Sequence, residues 1–430
     1  MSRTIGKVIL AALAIALPAA ACSKAAEPAE TKPQTAAPAA AEPLVLGMLG
    51  KPDAGIVKML ETKFPDAPIK AVSIDPKAIE QWVSGGGMPD LLLDVERISI
   101  PPYLLDRIQL DLSPYIKKSN LPLDRFEPGL IDHIRAYGDK NQMYALPVTR
   151  YLYALYYNKD VFDKLNVPYP TDGMSWEQIL KLAESATRSV DGIAYRGLDP
   201  MMSEFGLVSL IDQFSLNAVD PATNQASVST DRWQGMVSLL RSIYDIPGNR
   251  PETKSLRKPD DFLVTGKVAM ALGIDPSALS GMKGSIDIVT YPTLPDKPGV
   301  GPGTRTLNAM ITAGSKQKDK AFELITYLVS PEAQLMMSAR GFGTVLTDPT
   351  IMKAYASDVS ALKGKNVQAF FKNKLPQIGA ISPYEVLALP VLYSAVPELV
   401  TAPDPKPVLQ QIDTAMNGLI RAEAAKQVKK

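Results

Sequence analysis

Residues 143–157 read MYALPVTRYLYALYY, two apolar runs with Thr149 and Arg150 between them. The first run, 143–148, has the make-up of a short strand ending near Pro147. The second, 151–157, mixes aromatic and aliphatic residues and predicts a buried strand. Asn158, Lys159 and Asp160 then punctuate the run, and Val161, Phe162 and Leu165 fall on one face of a helix. A chain that leaves one strand, passes polar residues and enters a second buried strand is crossing between two lobes.

Before the crossing, apolar runs at 44–49, 69–74 and 91–95 predict three strands. Between them lie two helices, one carrying Ile56, Met59, Leu60 and Phe64, the other Ile79 and Trp82. Gly85, Gly86 and Gly87 stop the second helix. Strands alternating with helices predict a parallel, doubly wound sheet. Ligands bind beyond the carboxyl ends of such strands. That makes Lys51, Asp53, Asp94 and Glu96 candidate ligand-binding residues, the alternative for each being an exposed loop charge.

After the crossing, Ser175 and Gln178 form a capping-box pair. The helix they open places Trp176, Ile179, Leu180 and Ala183 on one face. A strand at 193–198 ends in Asp199-Pro200, and helices follow at 205–214 and 231–244. A strand at 268–272 ends in Gly273-Ile274-Asp275-Pro276. Pro292, Pro295, Pro298 and Pro302 with Gly299 and Gly301 exclude regular structure and predict a loop leading back. Residues 307–313 return as a strand to the first lobe. Helices follow at 319–328 and from Ser330-Pro331 to Gly341, and the remainder is mostly helical. Trp82, Trp176 and Trp233 each fall on an apolar helix face and read as core.

The 430 residues allow two or three domains. The net charge of +1 comes from interspersed signs, without the basic block of a nucleic-acid binder. One Cys rules out an intrachain disulfide. The single His, His133, leaves a zinc site or a Ser-His-Asp triad one candidate, and it lies in a helix-like stretch where a structural reading suffices. Arg3 and Lys7 precede an apolar run at 8–17 and small residues at 19–21, so 1–21 is a secretory signal, too short to remain as a bilayer-spanning helix. Its ending resembles a bacterial lipoprotein signal, in which Cys22 is acylated, although Ala19 stands where Leu is usual. The alternative is ordinary cleavage near Ala21. Residues 22–43 are Ala-, Pro- and Glu-rich and lack core-forming side chains, which predicts a tether.

Four segments carry a resemblance in order: the crossing with its YYNKDVFDK and the later SWEQ, GGGMPDLLLD at 85–94, FLVTGKVAMALG at 262–273, and SKQKDKAFELITYLVSPEAQ at 315–334. Together they resemble the extracellular solute-binding proteins of ATP-driven importers, in the maltose-binding-like branch, from about residue 44 onward. The resemblance implies an α/β fold of the two-lobe periplasmic-binding-protein class, each lobe a mainly parallel doubly wound sheet with helices on both faces. It implies lobes of 44–148 with 306–345 and of 149–305 with 346–430, and a third crossing near 342–348. It further implies a lipid-anchored, monomeric substrate-binding protein of an ABC importer outside the cytoplasm, with the permease as partner and neither cofactor nor metal.

The site residues then fall at the crossings and strand ends. Arg150 and Tyr151 sit at the first crossing, Arg305 at the second, and Asp199 and Asp275 after second-lobe strands. The family's aromatic after the G-K-x-A-M strand is replaced here by Ile274-Asp275, so stacking falls to Tyr151, Tyr153, Phe342 or Tyr384. Glu385, beside Tyr384, opens the late ligand-facing segment. Each has a plain alternative: a structural ion pair for the arginines, a turn or cap for the aspartates, core packing for Tyr384. A carbohydrate or polyol is the expected solute, and a cation held by acids is the variant. Two other functions share these residues: a hydrolase using Asp94 and Asp275 as paired carboxylates, and a sensor or adhesion lipoprotein.

Overall fold

The computed structural model describes residues 42–95, 103, 107–138, 142–200, 203–251, 261–273 and 284–427. Glu96, Asp275, Cys22 and the expected signal segment lie outside the described residues. The strands are β1 (Leu44–Leu49), β2 (Ile69–Ile74), β3 (Leu91–Val95), β4 (Leu146–Arg150), β5 (Ala154–Asn158), β6 (Arg188–Val190), β7 (Ile193–Asp199), β8 (Val219–Asp220), β9 (Gln225–Ala226), β10 (Val268–Leu272), β11 (Ile286–Thr290) and β12 (Thr306–Ile311). Two five-stranded sheets result, ordered β2-β1-β3-β12-β4 and β11-β5-β10-β7-β6, with β8-β9 a small separate ribbon.

Each sheet has its own core. Leu46, Leu60, Leu93, Ile131, Met310 and Leu324 pack around the first. Leu155, Trp176, Ile211, Trp233, Met270 and Leu392 pack against one face of the second. The pleat of β5 sends Ala154 and Tyr156 to the other face, where Phe262, Ile288, Tyr355 and Phe370 cover them. Trp176 and Trp233 are fully buried, and Trp82 is half-buried against the first core. His133 is buried and stacks on Tyr137. Helix Trp176–Ser185 carries the expected capping box from Ser175 and Gln178.

The strands at the crossing are displaced from their expected places. β4 begins at Leu146 and runs through Thr149 and Arg150, and β5 begins only at Ala154. The polar pair stays in the sheet because partners exist for it: Thr306 lies opposite Arg150, and Arg150 N–H donates to Gly343 O at 2.9 Å. Tyr151, Leu152 and Tyr153 therefore make the crossing.

Strand direction follows from these passages. In the first sheet every strand runs one way except β12, and in the second β5 and β6 are reversed. β5 and β12 are the strands that bring the chain in from the other lobe, so they start where their neighbours end. Residues 345–351 stay with the first core through Val345, Leu346 and Ile351, and the chain joins the second sheet only at Tyr355 and Ala356. That passage lies beyond the expected 342–348, because the short helix Pro349–Lys353 holds Ile351 inward. The remainder is mostly helical, as expected, in Pro349–Lys353, Glu385–Thr401 and Lys406–Gln427, while residues 354–384 are mainly turns with short 3-10 segments at Ser360–Leu362 and Val367–Phe371.

Candidate functional site

Register alone brings the strand ends together. Val95 at the end of β3 lies opposite Leu307, and Arg150 at the end of β4 opposite Thr306, so both ends meet the start of β12. In the second sheet Leu272 and Thr290, ending β10 and β11, lie opposite Leu155 and Ala154 at the start of β5. Asp199, ending β7, lies beside Ala271. The carboxyl ends of both sheets thus face the two crossings, 151–153 and 291–305, the position where α/β sheets place ligands.

The crossings are tied to each other. Tyr151 N–H donates to Arg305 O at 2.8 Å, and the Thr304 hydroxyl donates to Tyr151 O. Tyr151 keeps 49% of its surface exposed. Tyr153 packs inward, against Gly273, and lies within electrostatic reach of Arg305 and Asp212. Burial raises its hydroxyl pKa, and Arg305 opposes the rise. Arg150 is 7% exposed, lies 3.9 Å from Glu127, and has its guanidinium 5.6 Å from the Phe371 ring. Burial lowers its pKa and Glu127 raises it, with a net lowering. Arg305, which ends the second crossing, is also buried. A small cavity of about 30 Å³ beside the first crossing is lined by Arg150, Tyr151, Tyr153, Thr304, Asn373 and Lys374 among others.

A family profile described as bacterial extracellular solute-binding protein matches residues 61–335. The chain belongs to this family. Three solved solute-binding proteins share its fold. The sugar-binding protein MalE from Xanthomonas citri aligns with a TM-score of 0.71 at 17% identity, covering 90% of this chain and 100% of that one. An ABC substrate-binding protein from Listeria monocytogenes, in complex with cycloalternan, aligns at 0.70 and 16%, covering 88% and 98%. An ABC transporter solute-binding protein from Agrobacterium radiobacter, in complex with ribitol, aligns at 0.61 and 18%, covering 88% and 100%. A search of curated protein sequences gave no match.

Within this solute-binding protein the remaining candidates take varied positions. Lys51 is exposed just beyond β1. Asp53 caps helix Ala54–Lys63, accepting from Ile56 N–H at 2.8 Å, and pairs with Arg340 at 3.0 Å. Partial burial pushes its carboxyl up, but those two partners outweigh burial and hold it below the ordinary value. Asp94 is 2% exposed and accepts from the Tyr103 hydroxyl at 2.6 Å. Asp199 pairs with Arg196 at 3.0 Å, and Arg196 also holds Asn249 at 2.8 Å. Phe342 packs on the first core beneath the Arg340 guanidinium. Tyr384 packs on the second core. Glu385 is 1% exposed, and its two oxygens accept from Ala218 and Val219 N–H, both at 2.8 Å.

The structure therefore brings Asp94, Arg150, Tyr151, Tyr153, Asp199 and Arg305 to the strand ends and crossings. Tyr384 and Glu385 instead join the helix Glu385–Thr401 to the second core and the loop before β8. Sequence reasoning passed over Thr304, Asn373 and Lys374, which line the cavity, and Gln213, which holds the second crossing. The signal for Thr304 was its place one residue before Arg305; the other three show none. Among the described residues, no cluster of His, Cys, Asp and Glu suits a metal ion, and no helix is long and apolar enough to cross a membrane.

Proposed function

We propose that this protein is the substrate-binding component of an ABC importer, closing its two lobes on a small carbohydrate or polyol and releasing it to the permease. The observation that carries the reading is the convergence of the carboxyl strand ends of both sheets on two short passages, with the half-exposed Tyr151 among them. Tyrosine rings suit the C–H faces of sugars, and buried polar groups suit their hydroxyls. Relatives of this fold bound to cycloalternan and to ribitol support the solute class. Lobe closure around the solute would bury it and shift an open–closed equilibrium. The protein works as a monomer without cofactor, outside the cytoplasm, held to the membrane by lipid on Cys22. It binds without turnover.

Thermal denaturation of the purified protein with a panel of sugars, polyols, amines and amino acids tests this. A ligand that binds only the folded state adds about 2.7 kcal/mol at a hundredfold excess over Kd. One sugar or polyol class should raise the melting temperature by several degrees and be recovered chemically unchanged. A shift from amines alone would overturn the solute class, and cleavage of a glycoside would overturn the binding-only reading. Mass spectrometry of the membrane-extracted protein should find Cys22 acylated at the new N-terminus.

A further inference from the structure

The cavity beside the first crossing has a charge character that a receptor for neutral solutes does not need. Its lining includes Arg150 and Lys374 and no acidic side chain among the described residues. Arg150 is buried, and Glu127 at 3.9 Å lies beyond hydrogen-bond distance. Its Nε is buried and has no hydrogen-bond partner among the described residues. One face of the guanidinium lies towards Phe371, which contributes no acceptor. Lys374 is exposed at the rim and makes no ion pair among the described residues. A buried guanidinium with one open N–H attracts an acceptor that carries charge.

The cavity also draws on segments that lie far apart in the sequence. Arg150 ends β4, Thr304 lies in the second crossing, and Asn373 and Lys374 come from the late segment, which is joined to the crossing loop by hydrogen bonds from Gly301 N–H to Lys374 O and from Lys374 N–H to Gly299 O, both 2.9 Å.

We infer that this cavity is an anion-accepting site for a carboxylate or phosphate group, with Arg150 as its buried donor and Lys374 as its rim charge. The group is carried either by the transported solute or by a free ion seated at the crossing. The solute arm rests on the receptor reading above; the free-ion arm stands without it.

Calorimetric titration of the whole protein separates the cases. The probes are inorganic phosphate against chloride at matched ionic strength, and galacturonate against galactose. Binding of phosphate, lost in Arg150→Gln and weakened roughly two- to fivefold in Lys374→Glu, supports a free-ion site; the smaller factor is that of an exposed charge. Galacturonate binding about a hundredfold tighter than galactose, with the preference lost in Arg150→Gln, supports a solute-borne anion, since removing a buried charged partner has effects of that order. If Arg150→Gln does not fold, Arg150→Lys and Lys374→Glu carry the test, the first keeping the charge but losing the planar fork. Galactose and galacturonate binding alike, with phosphate silent, overturns the anion site and leaves the receptor reading intact. Phosphate binding with every sugar and polyol silent does the reverse. Silence from all four probes overturns the anion site.

Discussion

The two crossings solve one problem by different means. The first spans three residues, Tyr151 to Tyr153, between strands that end and begin beside it. Its path is set by the ladders on either side, and hydrogen bonds to Arg305 and Thr304 tie it to the second crossing. The second runs from Tyr291 to Arg305 and is broken by Pro292, Pro295, Pro298 and Pro302, which supply no N–H groups. Its buried carbonyls must find donors elsewhere. Gln213, fully buried in helix Glu204–Gln213, supplies them: its amide donates to Pro292 O at 2.8 Å and Val300 O at 3.2 Å, while its oxygen accepts from Trp176 Nε1 at 3.0 Å. The short passage inherits its order from the strands; the long one adds Gln213 to backbone bonds made with other segments, such as Gly301 N–H to Lys374 O and Gly303 N–H to Ser209 O.

The largest expected effect breaks the second crossing alone. Gln213→Leu keeps the volume but strands two carbonyls and the Trp176 N–H, each costing about 1–3 kcal/mol when buried and unpaired. Chemical denaturation should show a loss of about 3–5 kcal/mol. A loss below about 1 kcal/mol would mean that water replaces Gln213 and that the loop does not depend on it.

Gly303→Ala comes next. A Cβ there would collide with the buried Asp212 side chain, and Gly303 N–H donates to Ser209 O at 2.9 Å, so the backbone cannot retreat without losing that bond. Overpacking of this kind costs typically about 1–3 kcal/mol. The same measurement checks it, and a neutral result would show that Asp212 can swing aside.

The same contrast explains what could be read from the sequence. β1, β2, β3, β7 and β10 were legible because apolar runs bounded by Gly, Pro or Asp report directly on buried strands. Trp176 and Trp233 were legible as core by helical spacing. The displacement of β4 and β5 was not, because Thr149 and Arg150 look like loop residues until Thr306 and Gly343 are beside them. Glu385 read as a ligand-facing acid, and only the fold shows Ala218 and Val219 N–H occupying its oxygens. Gln213 was invisible, since one amide in an amphipathic helix carries no pattern. What sequence periodicity encodes is burial; which distant carbonyl a buried side chain meets is set by tertiary contact.

A pH experiment sharpens the comparison further. The late segment near the first crossing is pinned to the second sheet by carboxylates: Asp172 with Lys372, Asn366 and Thr290 N–H, and Asp287 with Lys159 at 2.7 Å and Asn366 N–H at 3.0 Å. Burial pushes both carboxyls up, but these partners outweigh it, and both titrate below their ordinary value of 3.8. A depressed folded-state pKa gives stability that is present above the unfolded value and lost as pH falls through the folded one. Hydrogen-exchange protection factors in residues 366–372, corrected for the intrinsic pH dependence of exchange, should therefore fall below about pH 4, while those around the Gln213-held loop change less. Asp172→Asn should flatten that response and cost about 1 kcal/mol or less at neutral pH, because both partners are partly exposed.

The smallest stability effect should come from the first crossing itself. Tyr151 is half-exposed, and its hydrogen bonds to the second crossing, from its N–H to Arg305 O and to its carbonyl from the Thr304 hydroxyl, are made by its backbone. Tyr151→Ala leaves both in place, so the unfolding free energy should fall by no more than about 0.5 kcal/mol. Solute affinity should fall roughly tenfold if the ring stacks on the ligand, since an aromatic contact contributes about 1 kcal/mol beyond its buried area. Titration of the solute found by the thermal panel reads the second quantity and denaturation the first. Affinity lost with stability kept separates a residue that meets the ligand from one that shapes the hinge. If instead Tyr151→Ala destabilises the fold as much as Gln213→Leu, the short crossing also depends on a side chain, and the distinction between the two passages fails.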